Sequence, residues 1–358
     1  NSLPIFFLRY ASVFGSNQCV NFVHQTRIMP VILGIESSCD DTAAAVLVDG
    51  HIRSNIISSQ KVHKQYGGVV PELAARAHLQ NIIPVVDQAL RTANIDKKEI
   101  NAVAYTLGPG LIGSLLVGNS FAKSFALSLD VPLIEVNHMQ AHLLVNFEKS
   151  IPNPSFPFLG LTVSGGHTQL VLVSSPNQME VIGQTLDDAV GEAFDKVGKM
   201  IGLPYPAGPF IDKYAQNGKA NIPFPTPKVS ALDFSFSGFK TSVLYHLRKQ
   251  QQLDENYIQN HRNDLCASVQ YTLVNILMEK LEKAVNKTGI KKIVIGGGVS
   301  ANTGFRQALS KKMDWNIFIP PLAFTTDNAA MIAVAGYFKY QNNTFGALDR
   351  QSQSRMPL

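Results

Sequence analysis

The sequence predicts an α/β protein made of two similar lobes. A strand, a Ser-containing turn and a second strand occur at 31–48 and again at 158–173. Each of these hairpins is followed by helical segments and later apolar strands, which favours an internal duplication over two unrelated hairpins. A Pro-rich stretch at 152–157 is typical of a linker between lobes. The length of 358 residues is sufficient for two lobes with a large buried core.

The first half of the chain alternates strand and helix patterns. After the hairpin strands Val31–Glu36 and Thr42–Val48, apolar periodicity predicts one or two helices over Val70–Ala93. The remaining predicted elements are a strand, a buried helix rich in small residues, a second strand and a short helix, over Ala102–Leu107, Ile112–Leu129, Val131–Val136 and Met139–Val145. Asn137 is well suited to be the N-cap of that short helix.

The second half repeats this style with one irregular region. The predicted strands and helices are Phe158–Val163, Thr168–Val173, a helix over Asp187–Ile201, a long helix over Asp264–Lys287, strands at Lys292–Ile295 and Asn316–Ile319, and a closing helix over Asp327–Tyr340. Between them, 204–237 is rich in Pro, Gly and Phe and is expected to be irregular. Long irregular stretches of this kind are usually functional.

Composition restricts the class of protein. Hydrophobic residues make up 45% of the chain and charged residues 16%, which is typical of a globular enzyme. The net charge of +5 permits a polyanionic partner such as RNA without requiring one. Three widely spaced cysteines argue against a disulfide framework and a thiolate zinc site. No membrane association is expected, because the most apolar stretch, 111–129, is interrupted by Asn119 and Lys123.

Residues 1–30 differ in composition from the rest of the chain. They contain Arg9, Arg27 and several serines but no acidic residue. This composition resembles a mitochondrial transit segment, and the alternative is an ordinary, poorly ordered terminus.

Two histidines at the start of a predicted helix form the most informative local pattern. His138 and His142 are four residues apart, so they project from one helix face and can hold one metal ion. The helix N-terminus disfavours imidazolium, so we expect neutral rings that are able to ligate. Their position after a strand is where open α/β sheets bind ligands. The alternative is an ordinary pair of core or surface histidines.

A carboxylate near the end of the chain is a candidate third ligand. Asp327 begins the last predicted helix, where helix capping alone would explain an acidic residue. Placed beside His138 and His142, it would complete a set of two histidines and one carboxylate. Such a set suits Zn(II) or Fe(II) and leaves coordination positions open for substrate.

Glycine-rich turns are candidate phosphate sites. Ser164, Gly165 and Gly166 form the turn of the second hairpin, and 296–298 is a run of three glycines after a strand. Turns of this kind present backbone N–H groups to phosphate. Asn302 is a candidate for binding a ribose or base edge. Asp195 and Asp212 flank the loop 202–208, which is long enough to close over a polar ligand.

The segment 108–113 matches the G-x-G-x-x-G dinucleotide fingerprint, with Glu135 at the expected acidic position. We reject a dinucleotide site, because a hairpin and helices precede this segment and Pro109 removes one N–H from the loop. Close helix packing explains these glycines better.

The ordered motifs resemble the tRNA N6-adenosine threonylcarbamoyltransferase family over nearly all of residues 31–358. The matching stretches are 34–42 (GIESSCDDT), 66–72 (YGGVVPE), 108–110 (GPG), 138–142 (HMQAH), 163–168 (VSGGHT), 191–196 (GEAFDK), 233–238 (DFSFSG), 297–302 (GGVSAN) and 326–328 (TDN). The resemblance implies a duplicated actin-like ATPase fold with lobes at 31–155 and 156–358, the second with the closing C-terminal helix, and a site in the cleft between them.

The resemblance also implies the site residues. One divalent metal ion per subunit, Zn or Fe, would be bound by His138, His142 and Asp327. Together with the glycine run, the nucleotide or substrate contacts would be Thr162, Val163, Ser164, Gly165, Gly166, Asp195, Gly208, Asp212, Gly297, Gly298 and Asn302. The general base is not identified, and its candidates are Glu36, Asp40 and Asp41.

The function implied is transfer of threonylcarbamoyl from threonylcarbamoyl-AMP, supplied by a separate synthase, to N6 of the adenosine 3′ of the anticodon in tRNAs reading ANN codons. With the transit-like start, the chain resembles the mitochondrial branch. A mitochondrial matrix location and a homodimer are therefore expected.

Three alternatives remain at this stage. The hairpins alone would allow an actin-like ATP-dependent kinase, which would not need His138 and His142. A metalloprotease is disfavoured, because Gln140 replaces the Glu that acts as general base in H-E-x-x-H. The third alternative is a non-catalytic nucleotide-binding scaffold.

Overall fold

The computed structural model describes residues 29–358, apart from 228 and 230. The transit-like composition was predicted for residues 1–30, and nearly all of that segment lies outside the described residues. Within the described part, the chain forms two five-stranded mixed sheets, each flanked by helices.

The first half contains five strands and three α-helices among the described residues. These elements are β1 Val31–Glu36, β2 Asp41–Val48, β3 His51–Ser59, α1 Pro71–Ala93, β4 Ala102–Gly108, α2 Ile112–Leu129, β5 Leu133–Asn137 and α3 His138–Leu144. Short 3₁₀ turns lie at Lys61–Gln65, Lys97–Glu99 and Val145–Phe147.

The second half completes the fold with a further set of strands and helices. They are β6 Phe158–Val163, β7 Thr168–Ser175, β8 Gln178–Gln184, α4 Val190–Met200, α5 Gly208–Ala215, α6 Ser237–Gln251, α7 Tyr257–Asn260, α8 Arg262–Thr288, β9 Lys292–Gly296, α9 Thr303–Ser310, β10 Asn316–Phe318 and α10 Ala329–Gln341. Two 3₁₀ turns lie at Gly298–Ala301 and Leu322–Phe324.

The two sheets have the same topology. The first has the order β3-β2-β1-β4-β5 and the second the order β8-β7-β6-β9-β10. In each, three antiparallel strands lead into two parallel ones, so the first strand of each half pairs antiparallel with its hairpin partner and parallel with the fourth. This correspondence confirms the duplicated α/β fold predicted from the repeated hairpin.

Several elements were not predicted from the sequence. Both third strands, β3 and β8, are edge strands with many polar, half-exposed residues, so they lack the apolar runs of the central strands. The hairpin between β2 and β3 turns at Asp49 and Gly50, both with positive φ, and an Asp-Gly pair is a recognised signal for such a turn. Within the expected irregular stretch, α5 begins at Gly208, followed by proline, which is favoured in a first helical turn.

Helix α10 packs on the first sheet although it comes from the second half of the chain. It contacts β1, β2 and α3 and is buried over most of its length. The close approach requires Gly34 of β1, because a Cβ there would lie 2.5 Å from the carbonyl oxygen of Ala329 and 2.8 Å from the backbone N of Ala333. The segment 156–358 therefore contributes one helix to the first lobe.

The glycines of 108–113 serve close packing, as predicted. A Cβ on Gly108 would lie 2.0 Å from the carbonyl oxygen of Gln353, and one on Gly110 would lie 2.5 Å from that of Ser38. Glu135, the acidic residue of the apparent fingerprint, instead accepts a hydrogen bond from the backbone N of Ala347 at 3.2 Å.

Helix α2 is, in the described part of the chain, the one helix long and apolar enough to cross a membrane by length and composition alone. One such helix is weak evidence, because core helices pass the same test. Here α2 packs on α1 and β4. An apolar groove between α1 and α2 remains open, with Leu79, Ile83 and Leu116 more than half exposed.

Candidate functional site

The two predicted histidine ligands and the predicted carboxylate come together in the structure. His138 and His142 lie on α3, and Asp327 lies two residues before α10. Asp327 Oδ1 is 3.4 Å from Nε2 of His138 and 3.2 Å from Nε2 of His142. One ligand atom from each residue falls in a group whose members are all within 4.8 Å of one another.

The helix caps leave these side chains available. Asn137 caps α3 by accepting from the backbone N of Met139 and Gln140, as predicted. Asn328 caps α10 by accepting from the backbone N of Met331. Capping alone therefore does not explain Asp327.

The spacing and surroundings of the three side chains fit a metal ion. Ligand atoms about 2.1 Å from one ion, at tetrahedral or octahedral angles, stand about 3.0–3.4 Å apart, close to the two distances observed. His142 is fully buried; its Nδ1 makes no hydrogen bond to any residue that the structure describes, and its Nε2 faces Oδ1 of Asp327 at 3.2 Å outside hydrogen-bond geometry. A buried polar atom without a partner costs about 1–3 kcal/mol, and a bound metal ion would satisfy one of these nitrogens.

Glu36, one of the candidate bases, is positioned to hold His138. Its Oε2 lies 2.9 Å from Nδ1 of His138 and accepts from Thr106 Oγ1 at 2.7 Å. Its Oε1 accepts from the backbone N of Ser38. With no exposed surface, Glu36 is placed to orient the His138 ring with Nε2 toward Asp327, the arrangement in which carboxylates support metal-binding histidines.

The protonation of the histidine pair differs from the sequence-based expectation. Burial alone would lower the pKa of His138, but the charges of Glu36 and Asp327 outweigh it and raise that pKa well above its usual value. Burial would likewise raise the pKa of Asp327, but His138 and His142 hold it well below its usual range. The neutral ring expected from the helix N-terminus alone is therefore not the favoured form without a metal ion. Metal binding would displace this proton.

The turn between β1 and β2 carries the other two candidate bases. Asp40 and Asp41 are partly exposed beside Cys39, whose environment includes the charge of Asp327. Burial, followed by the charges of Asp40, Asp327 and Glu36, raises the pKa of Asp41 to about 7 despite a hydrogen bond from Ser59. Of the three candidates, Asp40 and Asp41 are thus the two that solvent or substrate can reach.

His78 of α1 fixes this turn and was not predicted from the sequence. Its Nε2 lies 2.9 Å from the carbonyl oxygen of Cys39, and its Nδ1 lies 2.8 Å from Oγ1 of Thr42. A carbonyl can only accept, so Nε2 is the donor and Nδ1 accepts from the threonine. The pattern available to sequence analysis was a histidine on the apolar face of a predicted helix, which does not distinguish this role from simple burial.

The glycine turn of the second hairpin lies near the histidines. Thr162 and Val163 are fully buried in β6, whereas Gly165 and Gly166 are exposed with open space where a Cβ would be. His167, directly after the turn, has its pKa lowered to about 4 by burial and by His138 and His142. Ser164 to Gly166 can therefore face a ligand, whereas Thr162 and Val163 offer only backbone groups.

The second glycine run packs tightly against the histidine helix. A Cβ on Gly296 would lie 2.3 Å from the carbonyl oxygen of His142, and one on Gly297 would lie 2.4 Å from that of Val163. Asn302 caps α9 by accepting from the backbone N of Phe305 and donates to Gln270 Oε1. These two bonds use one acceptor site and one N–H of the amide, which has two of each, so the ribose or base contact of Asn302 stays a prediction; the backbone of Gly298 remains open nearby.

The two aspartates that flank the loop 202–208 form a second group around α5. Asp195 Oδ1 accepts from the backbone N of Ala207 at 2.7 Å, and Gly208 has open space around it. Asp212 accepts from the backbone N and Oγ1 of Thr303 at the start of α9. These contacts join α4, α5 and α9 into one wall.

The two sheets define an actin-like ATPase fold, and His138, His142 and Asp327 form a group that could hold a metal ion. Two solved structures support the fold. Component A of the (R)-2-hydroxyglutaryl-CoA dehydratase of Acidaminococcus fermentans has a TM-score of 0.52 at 16% identity, covering 87% of this chain and 99% of that one. Full-length HypF in a phosphate- and nucleotide-bound form has a TM-score of 0.56 at 15% identity, covering 89% of this chain and 48% of that one.

The sequence comparisons are more specific. Residues 51–334 match the family model of TsaD, tRNA N6-adenosine threonylcarbamoyltransferase. A protein of that name from Christiangramia forsetii is 59% identical over 330 residues, covering 90% of this chain and 97% of the relative. Another, from Riemerella anatipestifer, is 56% identical over 334 residues, covering 92% and 98%. The chain belongs to the tRNA N6-adenosine threonylcarbamoyltransferase family.

The expected mitochondrial matrix location is wrong. Relatives of 54–59% identity over about nine-tenths of the chain come from bacteria, Phocaeicola vulgatus and Porphyromonas gingivalis among them. A basic, acid-free start is also compatible with an ordinary terminus, so composition alone was a poor guide. The expected homodimer loses the support it took from the mitochondrial branch.

Proposed function

We propose that this protein transfers a threonylcarbamoyl group to N6 of an adenosine in tRNA, namely the adenosine 3′ of the anticodon in tRNAs that read ANN codons. The donor in this proposal is threonylcarbamoyl-AMP from a separate synthase. The observation that supports it best is the group formed by His138, His142 and Asp327 beside a glycine turn. It occurs in a chain more than half identical to enzymes that carry this name.

In this proposal one divalent ion, Zn or Fe, is held by His138, His142 and Asp327 and supplies Lewis-acid polarisation of the donor's carbonyl. Glu36 keeps the His138 ring oriented through the 2.9 Å contact at Nδ1. The exposed backbone of Gly165 and Gly166 holds the AMP phosphate, because N–H groups of such turns bind anions.

The nucleoside of the donor lies, in this proposal, along the wall built from α4, α5 and α9. Asp195, Gly208 and Asp212 border it, and Asn302 supports it through the α9 cap. The N6 amine attacks the carbamoyl carbon, the bond from that carbon to the phosphate oxygen breaks, and AMP leaves. The amine is a neutral, weak nucleophile, so positioning contributes more than a strong base. Asp40 or Asp41 receives the proton that the amine loses, since both are reachable at the cleft.

The test is transfer to tRNA by the purified full chain with supplied threonylcarbamoyl-AMP. The tRNA is digested to nucleosides, which are separated and identified by mass spectrometry. The control is the same tRNA with guanosine at the target position. We expect threonylcarbamoyladenosine from the adenosine tRNA only. Product from neither tRNA with metal-loaded protein would contradict the proposal. In separate assays, phosphorylation of a small molecule from supplied ATP, or cleavage of a supplied peptide, would favour the kinase or protease alternatives.

A homodimer also remains our prediction, now supported by the apolar groove between α1 and α2. Contiguous exposed apolar residues such as Leu79, Ile83 and Leu116 are typical of an interaction surface. Sedimentation at micromolar protein concentration tests the homodimer, and a purely monomeric species would contradict it.

A further inference from the structure

The segment 342–358 follows α10 and runs along the first lobe beside β5 and β4. The backbone N of Gly346 donates to the carbonyl oxygen of Leu133 at 2.8 Å, at the start of β5. Farther along, the backbone N of Gln353 donates to the carbonyl oxygen of Leu107 at 2.9 Å, near the end of β4. The segment therefore reaches the carboxyl ends of these two parallel strands, which is the edge at which α3 begins.

Helix α2 holds the middle of this segment. The side-chain amide of Asn119 lies 2.6 Å from Oγ of Ser352. One helical turn later, Nζ of Lys123 donates to the carbonyl oxygen of Arg350. Together with the backbone hydrogen bonds to β4 and β5, these contacts fix the path of the segment along the first lobe.

The segment then meets the N-cap of α3. Nδ2 of Asn137 donates to the carbonyl oxygen of Pro357 at 2.9 Å, while its Oδ1 accepts from two backbone N–H groups of α3. Turning this amide over would place Nδ2 against those donors and Oδ1 against another oxygen, so the contact with Pro357 selects the orientation that caps the helix. Asn137 is buried, and the next residue is His138.

Two apolar side chains beside this contact connect it to both lobes. Met356 packs against the buried core of the first lobe, which includes Leu33 of β1. Leu358 packs against a cluster formed by Leu143 of α3 and buried side chains of β6, β7 and β9 in the second sheet. The carbonyl group of Pro357 is therefore held between one anchor in each lobe.

We propose that residues 352–358 form a strap that positions the first turn of α3, and with it the ring of His138, through the carboxamide of Asn137. The strap contributes no member of the group His138, His142 and Asp327, so its residues are positioning residues. The side chains of a binding site must be held within about 0.5 Å of their productive arrangement. Because His138 directly follows Asn137, displacement of the cap displaces this ligand first. The inference rests on the metal binding contained in the proposed function.

The test compares Asn137→Ser and Leu358→Ala in the full chain. Serine keeps a capping oxygen and loses the Nδ2 donor, whereas the second change removes the anchor in the second lobe. Affinity for Zn²⁺ is measured by competition with a chromogenic chelator, and hydrogen exchange of the α3 amides is measured in the metal-free protein. We expect each variant to bind Zn²⁺ roughly tenfold more weakly, the low end of the usual effect of a change behind a metal-binding histidine, and its α3 amides to exchange faster.

The double variant decides whether the two residues act through one strap. If Leu358 holds the carbonyl group of Pro357 in place for Asn137, then Leu358→Ala leaves Asn137→Ser with little further effect, so the two losses of affinity do not add. Additive losses would overturn the inference. Leu348→Ala is the matched control, because Leu348 lies in the same segment and is 53% exposed, and we expect it to keep the wild-type affinity.

Wild-type Zn²⁺ affinity in both strap variants would overturn the inference. Faster exchange in α3 with unchanged affinity would also overturn it, since the strap would then only stabilise the fold, and so would absence of Zn²⁺ binding by the wild type. Asn137→Ser alone still decides between these outcomes if Leu358→Ala does not fold. Failure of the proposed function is distinguishable, because it would appear as absence of transfer to tRNA by the metal-loaded wild type.

Discussion

Nδ1 of His138 lies 2.9 Å from Oε2 of Glu36, across 102 residues of sequence. This contact joins the end of β1 to the start of α3 and leaves Nε2 of the histidine directed at Asp327. We expect Glu36→Gln to weaken metal binding roughly 10- to 100-fold, the usual effect of losing a carboxylate behind a metal-binding histidine. Competition with a chromogenic chelator measures it. Glu180→Gln on an exposed edge position is the control, and equal affinities of the two variants would contradict this role.

His142→Ala should lose metal and transfer activity together. The wild-type ring is buried with Nε2 3.2 Å from Asp327 Oδ1, and alanine offers no ligand atom in its place, so only His138 and Asp327 of the group remain. Metal content by atomic absorption and transfer to tRNA are the two measurements. A full metal equivalent in the purified variant would exclude His142 as a ligand.

Asp41 should make stability depend on pH. Its folded pKa is about 7 against an ordinary value of 3.8, because burial and neighbouring carboxylates disfavour the charge. Between these two values the folded protein holds a proton that the unfolded chain releases, so stability falls as pH rises from about 4 to about 7. The loss is at most about 4 kcal/mol. Urea unfolding at several pH values measures the free energy of unfolding, which should depend less on pH in Asp41→Asn than in the wild type. The same pH dependence in both proteins would contradict the raised pKa of Asp41.

Gly34→Ala should destabilise the protein by about 1–3 kcal/mol, the usual cost of overpacking. The new Cβ would lie 2.5 Å from a backbone oxygen of the Ala329 peptide, so α10 must move away from β1. Gly238→Ala is the matched control, since nothing lies within 4 Å of a Cβ there. Thermal unfolding of both variants measures the difference in stability. Equal melting temperatures would show that α10 can shift away from β1 without loss of stability.

Binding of tRNA should depend steeply on salt. Basic residues are scattered over the chain, so affinity should fall with a log–log slope of about 0.7–0.9 per phosphate neutralised. Lys97→Ala and Lys311→Ala should each have small effects. Binding that is independent of salt, or that collapses after either single change, would contradict an electrostatic surface spread over both lobes.

Sequence analysis predicted the strands and helices that have strong local patterns, and it predicted that His138, His142 and Asp327 would lie together. It could not predict that Glu36 serves His138, because that relationship exists only after β1 and β5 join the same sheet. It assigned Asn302 to a ligand, and the structure adds that the same amide caps α9 and donates to Gln270. A polar residue after a glycine turn is the same sequence pattern whether its side chain caps a helix or binds a ligand.

The third strands illustrate a second limit. Asp49 and Gly50 provided a turn signal for β3, yet its half-exposed pattern concealed the strand itself. Most residues of β3 are only partly buried, so neither face shows a clear apolar pattern, and pairing with β2 decides that the segment forms a strand. Tyr66 and Tyr205 lie in two segments that the sequence marks separately, the motif 66–72 and the loop 202–208, and only the meeting of the two lobes makes them neighbours of one cavity.

Helix α3 touches the parts that would move apart if the cleft opened. It packs against β5 and α10 of the first lobe and also against β6 and β9 of the second, with Asn146 just beyond it donating to Ile295. A helix that packs on both lobes can act as the pivot for their relative rotation. Rotation of the lobes about it would leave His138, His142 and Asp327 at constant separation while Gly165 and Gly166 swing toward or away from them. Cleft motion would then change the distance between the turn proposed to bind phosphate and the proposed metal ligands, and would leave the spacing of those ligands unchanged.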